Sequence, residues 1–487
     1  MKGSKSCSRR RRADGPGADE CKLPPDLIQR IAVLIPSPDD FFHYLDAFQG
    51  SNSIGNLQHL WHLAQASSAS GRYPDDLWPE LHIHVLDDDM VDAIQAVSMY
   101  FPVIHFHHVY DLSLLLRCVV SPSTSFEFHQ CPQRPHDVSI PLHTWYAELA
   151  ALPLSRLTWC DNEYDADQIQ HLMNVLSTMP RLRALNLDFA SVPSLASVLG
   201  YIRSSGLVDF SMKNIRLPAG GNDPDWMVDS PDPVMTNAWA DHLIHWLMQQ
   251  PVQSLQLTNW IFNLADVVAT AFYDALWHGP SRLQKLSFRE MQLPPLRPIA
   301  EPIQIVELEL FDCALGTADF IELARGLRHS PVQSLNLGCN AVEAAGIVAI
   351  AESLPESTVR ALNLIATNLD EEGCKALARA MPAAGLVELH LGMNGLTNGA
   401  VLHLADVLRT TPSLLKIGLQ WNGLTMSGAV ALVHMLGLRP HPFHALDLRN
   451  NRLDEGDEDL VKGMVANIPH VDLVVLTKRD SRMEFME

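Results

Sequence analysis

Along the C-terminal part of the chain the apolar positions switch between two periods. Leu335–Gly346 reads LNLGCNAVEAAG, and Leu362–Gly373 reads LNLIATNLDEEG. Leu389–Ala400 reads LHLGMNGLTNGA, Ile417–Gly428 reads IGLQWNGLTMSG, and a fifth stretch, LDLRNNRLDEGD, starts at Leu446. Their first apolar residues step by 27, 27, 28 and 29 residues. Each stretch opens with a period of two, as in a short strand that sends alternate side chains to one face. Four then pass into runs with the helical period, GIVAIAESL, GCKALARAM, AVLHLADVL and GAVALVHML. Asn340, Asn394, Asn422 and Asn451 each follow the second apolar residue by three positions. An amide there can bond the backbone where the strand turns away, as a buried loop requires. One such unit cannot bury its own apolar stripe, so the units must stack.

These stretches resemble leucine-rich repeats of the ribonuclease-inhibitor type. The resemblance implies an α/β solenoid with a curved parallel sheet, outer helices and a concave strand face. Weaker strand pairs extend the rhythm upstream: Leu308/Leu310, Leu286/Phe288, Leu255/Leu257, Phe210/Met212, Leu185/Leu187 and Leu157/Trp159. VDLVVL near Leu473 reads as a closing strand. The step from Met212 to Leu255 is too long, and the excess, residues 218–234, is rich in Pro, Gly and Asp and reads as an inserted loop. Residues 81–150 alternate at LHIHV, VIHFHHV and SFEFHQ, with MVDAIQAVSMYF and LSLLLRCVV between them. They read as degenerate leading repeats, with an independent α/β domain as the alternative. The expected organisation is a disordered basic tail (1–22), a helical segment (23–80), leading repeats (81–150), the main array (151–478) and a short tail (479–487).

The helical segment reads LPPDLIQRIAVLIPSPDDFFHYLDAF over residues 23–48. The spacing predicts a helix from Asp26 to Ile35, then a second carrying Phe41, Phe42, Leu45 and Phe48, capped by Asp39 or Asp40. LQHLWHLAQAS and the Leu77-Trp78 pair follow. Leu23, Pro24, Asp26, Leu27, Ile28, Ile31, Pro36, Asp40, Phe41 and Leu45 carry a resemblance to an F-box. AFQGSNSIGNL replaces that family's Val-Cys-x-x-Trp portion. The resemblance implies that Leu23, Pro24, Leu27, Ile28 and Ile31 lie in or near a surface that binds a Skp-type adaptor, and through it a cullin. The alternative is a cap over the open apolar end of the first repeat.

Charge narrows the partners. Fifty-six acidic against 35 basic residues give a net charge of -21, which disfavours a general nucleic-acid binder and makes basic proteins easier partners. No apolar run is long enough for a membrane helix. MKGSKSCSRRRR lacks the apolar core of a secretory signal, and Arg9–Arg12 reads equally as a nuclear signal or a solvated tail. Eight scattered cysteines without a CxxC pair suggest buried free thiols in a reducing compartment. An intracellular protein, cytoplasmic or nuclear, is expected.

Chemistry is sparse. No P-loop, GxGxxG, HExxH or GxSxG pattern occurs, so no catalytic residue and no cofactor are expected. If the apolar residues of the leading strands point inward, His82, His105 and Glu127 form one outward row, and His84, His107 and His129 another. Three imidazoles at strand spacing suffice for a zinc or nickel ion, or for a pH-sensitive partner surface. A polar face that happens to use histidine is the simpler reading, and no metal is expected. Asp87–Asp89 reads as a helix N-cap, and Cys313 occupies the asparagine position of its repeat. On the concave face the exposed positions are Glu307, Glu309, Phe311, Ser334, Asn336, Asn363, Glu388, His390, Gln420, Trp421, Asp447 and Arg449. Phe311 and Trp421 are the expected anchors. The leading expectation is a non-enzymatic adaptor of a cullin-type ubiquitin ligase. An interaction scaffold with no ligase link and a Ran-type GTPase activator, which uses the same repeat type, are the alternatives.

Overall fold

The computed structural model describes residues 23–48, 53–70, 74–107, 111–130, 140–160, 166–189, 192, 195–215, 232–280, 283–468 and 470–476. The basic tail with Arg9–Arg12, residues 216–231 of the insert region, and the C-terminal tail lie outside the described residues. The described chain divides into two compact units, one of residues up to 107 with 113–125, the other of 111–112 and 126 onward.

The first unit begins with the helices Pro25–Ala32, Pro38–Phe48 and Leu57–Ser70. The first is shorter than its apolar spacing predicts. Pro24 is extended (ψ 141°), Pro25 opens the helix, and Leu34 and Ile35 close it with tight bonds to Ile31 and Ala32. Pro36 then disfavours a helical Ile35. In the second helix neither Asp39 nor Asp40 is the cap. The Ser37 hydroxyl accepts from the Asp40 amide at 3.3 Å, and both aspartates fall in the first turn, where the helix dipole favours them. The core of this unit is aromatic. Phe41 stacks on Trp78 at 4.1 Å between centroids, and Trp78 Nε1 donates to the Ile35 carbonyl at 2.6 Å. Beyond Trp78 lie the strand Leu81–Ile83, the helix Asp88–Val97 and the strand Val103–Phe106. Asp87 caps that helix, accepting from the Met90 amide at 2.8 Å. The two strands pair in parallel, Leu81 beside Ile104 and His82 beside His105.

The second unit is a parallel sheet running from the strand Ser125–Phe128 to Val471–Val475, with flanking helices. Each strand pairs with the next in the array. In the best-ordered stretch Leu308, Leu335, Leu362, Leu389, Ile417 and Leu446 stand in one register column, none more than 1 % exposed. Full burial of one such side chain stabilises by roughly 1.5–3 kcal/mol, and the column repeats that gain at every turn. Helices Ala344–Ser353, Glu371–Ala380, Asn398–Val407 and Met426–Gly437 fall where the helical period places them. All six weaker strand pairs lie in strands of this sheet and are buried. Val471–Val475 is its last strand.

The asparagines hold each turn to the one before it. Asn394 Nδ2 donates to the carbonyls of Leu364, Leu391 and Gly392 at 2.8–3.1 Å, while its Oδ1 accepts from the amides of Thr367 and Leu369 at 2.8 and 3.0 Å. Asn340 and Asn422 repeat the pattern, and Asn451 retains most of it. Cys313 takes the asparagine place and offers its thiol to the Phe288 carbonyl at 3.2 Å. Further upstream Ile215, Trp260 and Met291 occupy the same place and are buried as apolar residues. The array therefore changes from apolar to amide-stitched turns along its length.

One turn has no helix. Between the strands Lys285–Arg289 and Glu307–Phe311 the chain carries Pro294, Pro295, Pro298 and Pro302, which remove amide donors and block helical packing. Its remaining amides find the neighbouring helix Thr317–Leu327. Leu296 donates to Asp319 at 2.7 Å and Ile299 to Glu322 at 3.3 Å. Gly326 leaves room for Ile299 and Ile303, since a Cβ there would come within 2.7 Å of Ile299.

Five described cysteines are free, and Cys118, Cys313 and Cys374 are buried. Burial pushes the Cys118 and Cys374 thiols up to about 12. Among the described residues no helix is long and apolar enough to cross a membrane.

Candidate functional site

Where each strand ends, the chain must turn sharply while its next amide still seeks a partner. The same position of successive turns solves this with a left-handed residue, two places after the second inward side chain. Phe189, Asn214, Asn259, Glu290, Asp312, Cys339, Ala366, Met393, Trp421 and Asn450 all have φ between 48° and 63°. None is glycine, and a single such residue costs of order 1–2 kcal/mol. The cost is offset by continued pairing. The amides of Asp312, Cys339, Ala366, Met393 and Trp421 each donate to a carbonyl of the following turn at 2.7–3.0 Å. The arrangement sets out a row of side chains along the strand ends. Phe189, Met393 and Trp421 are the large apolar members, 43 %, 56 % and 52 % exposed.

The row borders an open cavity of about 1020 Å³ on the strand face, lined by residues from Arg289 to Asn450. It contains Glu309, Phe311, Ser334, Asn336, Asn363, Glu388, His390, Gln420, Trp421 and Arg449, as the alternation of the strands implies. Glu307 is exposed on the same strand as Glu309. Lining residues not named from the sequence are Arg289, Ala361, Ile365, Met393 and Asn450, of which Arg289 and Ile365 share the place of Phe311 and Gln420 after the second inward side chain. Met393 and Asn450 were legible only through the position shared with Trp421.

The expectation that these positions are uniformly exposed needs correction. His390 and Gln420 are 9 % and 8 % exposed and Asp447 is 0 %. Glycines explain the first two. A Cβ on Gly392 would lie 2.8 Å from the Gln420 side chain, and one on Gly418 would meet both Gln420 and His390. The missing side chains let these two lie flat on the sheet. Asp447 is covered by Arg449, whose Nε and Nη2 bind its carboxylate at 2.7–3.0 Å, while the Arg449 amide donates to Oδ1 at 3.0 Å. Phe311 is also half-buried. Its ring lies beside the space left by Gly338 and beneath Arg289, whose guanidinium carbon is 4.9 Å from the ring centroid.

The acidic groups of this face have basic neighbours. Arg289 lies 3.8 Å from Glu309, which also accepts from Ser287 at 2.5 Å and Asn336 at 2.8 Å. Lys416 pairs with Glu388 at 2.8 Å, Lys285 with Glu307 at 3.5 Å, and Arg449 with Asp447. The chain's charge of -21 is therefore not concentrated here. Burial lowers the His390 pKa, against the opposing pull of Glu388, whose carboxylate is 3.7 Å from Nε2. What this surface offers is an exposed indole and thioether above a flat, hydrogen-bonded, charge-balanced floor.

In the first unit, Leu23, Pro24 and Leu27 are exposed, Ile31 is half-buried, and Leu34 is 79 % exposed. Ile28, expected with them, is 2 % exposed and faces the unit's own core, because it follows Leu27 round the helix by one position. Of the histidine row His84, His107 and His129, the first two stack at 4.5 Å, and each ring also has a contact of its own. His84 Nε2 sits 3.5 Å from Asp76, His107 Nε2 3.0 Å from His82 Nδ1, and His129 Nε2 3.5 Å from Glu127.

Comparison with models of known families and with curated proteins gives no match.

Proposed function

We propose that this protein is a non-enzymatic protein-binding module, a leucine-rich repeat array of the ribonuclease-inhibitor-like type that takes a protein partner on its strand face. The observation that carries this reading is the row of left-handed turn residues, which holds Trp421 and Met393 exposed over a charge-balanced floor. Aromatic residues ringed by paired polar groups are the usual anchors of protein interfaces. We further propose that the first helices dock a Skp-type adaptor, making the chain the target-recognition subunit of a cullin-type ubiquitin ligase. The exposed Leu23, Leu27 and Leu34 support this. That reading puts the protein inside the cell, in cytoplasm or nucleus.

Affinity purification of the full chain with identification of its partners tests both parts. Trp421→Ala should lose the target and keep adaptor and cullin, while Leu27→Asp should do the reverse. Specific partners without an adaptor or cullin would sink the ligase reading and leave an interaction scaffold. Stimulated GTP hydrolysis by Ran, with Trp421→Ala without effect on any partner, would favour a GTPase activator instead.

A further inference from the structure

Among the described residues, the densest group of imidazoles lies in the first unit. His82 is on the strand Leu81–Ile83 and His105 on Val103–Phe106, directly opposite each other in the register. Leu81, Ile83, Ile104 and Phe106 are at most 1 % exposed, so His82 and His105 share the other face. Their rings stack at 4.5 Å, 14° from parallel. Glu80, in the bend just before the first strand, brings a carboxylate to the same place. Its Oε2 is 3.3 Å from His82 Nε2 and 3.9 Å from His105 Nε2, and the three donor atoms all lie within 4.8 Å of one another.

Those separations have a chemical meaning. Zinc binds imidazole nitrogen and carboxylate oxygen at about 2.0–2.1 Å, so donors at two corners of its tetrahedron stand about 3.3 Å apart. The Glu80–His82 pair already has that spacing. Glu80, 67 % exposed, can close the remaining gap to His105 by rotation, and the two imidazoles, stacked at 4.5 Å, must tilt out of parallel for both ring planes to meet at one ion. The orienting contact that metal-bound histidines require is also present. His82 Nδ1 lies 3.0 Å from His107 Nε2. With His82 Nε2 on a metal, its Nδ1–H donates to His107, fixing the tautomer and the ring plane. His107 is itself stacked on His84, at 4.5 Å and 14°.

We propose that Glu80, His82 and His105 form a binding site for a divalent transition metal of the zinc class, with His107 as the positioning residue for His82. Three protein donors leave a fourth corner for water or for a donor from a partner. The histidines bind as neutral imidazoles. The site shares no residue with the proposed target and adaptor surfaces.

The test is titration of the chelator-stripped full chain with zinc alone, in competition with a chromophoric chelator, together with zinc-edge X-ray absorption. About one equivalent should bind, with two imidazoles and oxygen in the first coordination sphere. Glu80→Gln, at an exposed side chain that can change without unfolding, should weaken binding by about 10-fold or more, and His107→Phe by about 10–100-fold. His84→Asn should leave the affinity within about 3-fold of the starting chain, since His84 supplies no donor. Less than about a tenth of an equivalent bound at micromolar zinc overturns the proposal. So does full-strength binding that survives in Glu80→Gln/His82→Asn, because other groups of the chain then hold the metal, or a coordination sphere without imidazole.

Discussion

Single side chains in this protein act by closing hydrogen-bond deficits that the turns create. Asn422 accepts from the amides of Asn394 and Leu396 and donates to three carbonyls, so Asn422→Ala strands buried groups on two turns. A loss of about 2–4 kcal/mol in urea unfolding is expected; a loss below about 0.5 kcal/mol would show that water replaces the amide. Arg439 does similar work without any repeat signature. It is 1 % exposed, and its guanidinium donates to the carbonyls of Leu408, Pro412, Leu414 and His441. Arg439→Met should cost about 2–4 kcal/mol, because buried carbonyls are left unmatched. The asparagines were legible because they recur; Arg439 was not, because a lone arginine in a loop reads as solvated. His390 links a residue to pH. Burial makes the folded state bind its proton more weakly than the unfolded chain does, so its contribution is whole above the ordinary value of 6.5 and is lost as pH falls below it. His390→Gln should flatten the fall in stability between pH 7 and 5, and an unchanged slope would assign the acid sensitivity elsewhere.

Elements show which local rules prevailed. Strand and helix positions in the clear repeats were legible from period alone, because each turn buries the same faces. The turn between Lys285–Arg289 and Glu307–Phe311 kept its strand and dropped its helix, since four prolines outweigh the surrounding rhythm. The left-handed conformation of the strand-end turn position escaped sequence reasoning, although one of its members, Trp421, was expected as an anchor. The position holds Asp, Cys, Ala, Met, Trp, Asn, Glu and Phe, so no residue type marks it; hydrogen bonding to the next turn imposes the conformation. The test is a pair of substitutions. Met393→Gly should be neutral or stabilising by up to about 1 kcal/mol, and Met393→Val destabilising by about 1–2 kcal/mol, because a β-branched residue resists positive φ. Equal unfolding midpoints for the two would refute a left-handed Met393 in solution.

At the scale of the whole molecule, composition and surface diverge. A net charge of -21 suggests attraction of basic partners, yet on the cavity face acid and base are matched side by side. Half-exposed pairs of this kind contribute little each. The target binding proposed for Trp421 should therefore change less than about 3-fold between 50 and 300 mM salt, where an electrostatically steered complex changes far more. A steep salt dependence would move the contact surface away from this groove. The fold class was legible from the order of residues because a repeat states its rule many times. The groove's flat floor was not, because it depends on glycines one strand away from the side chains they admit.

The row of left-handed turns also separates two kinds of information. Backbone pairing at these positions is independent of side-chain identity, while the side chains there face outward and differ at every turn. Asp312, Cys339, Ala366, Met393, Trp421 and Asn450 thus behave as addressable characters written on an invariant frame. The outer surface can be rewritten one character at a time without renegotiating the core, which makes the six positions a natural place to diversify when giving this array a chosen target.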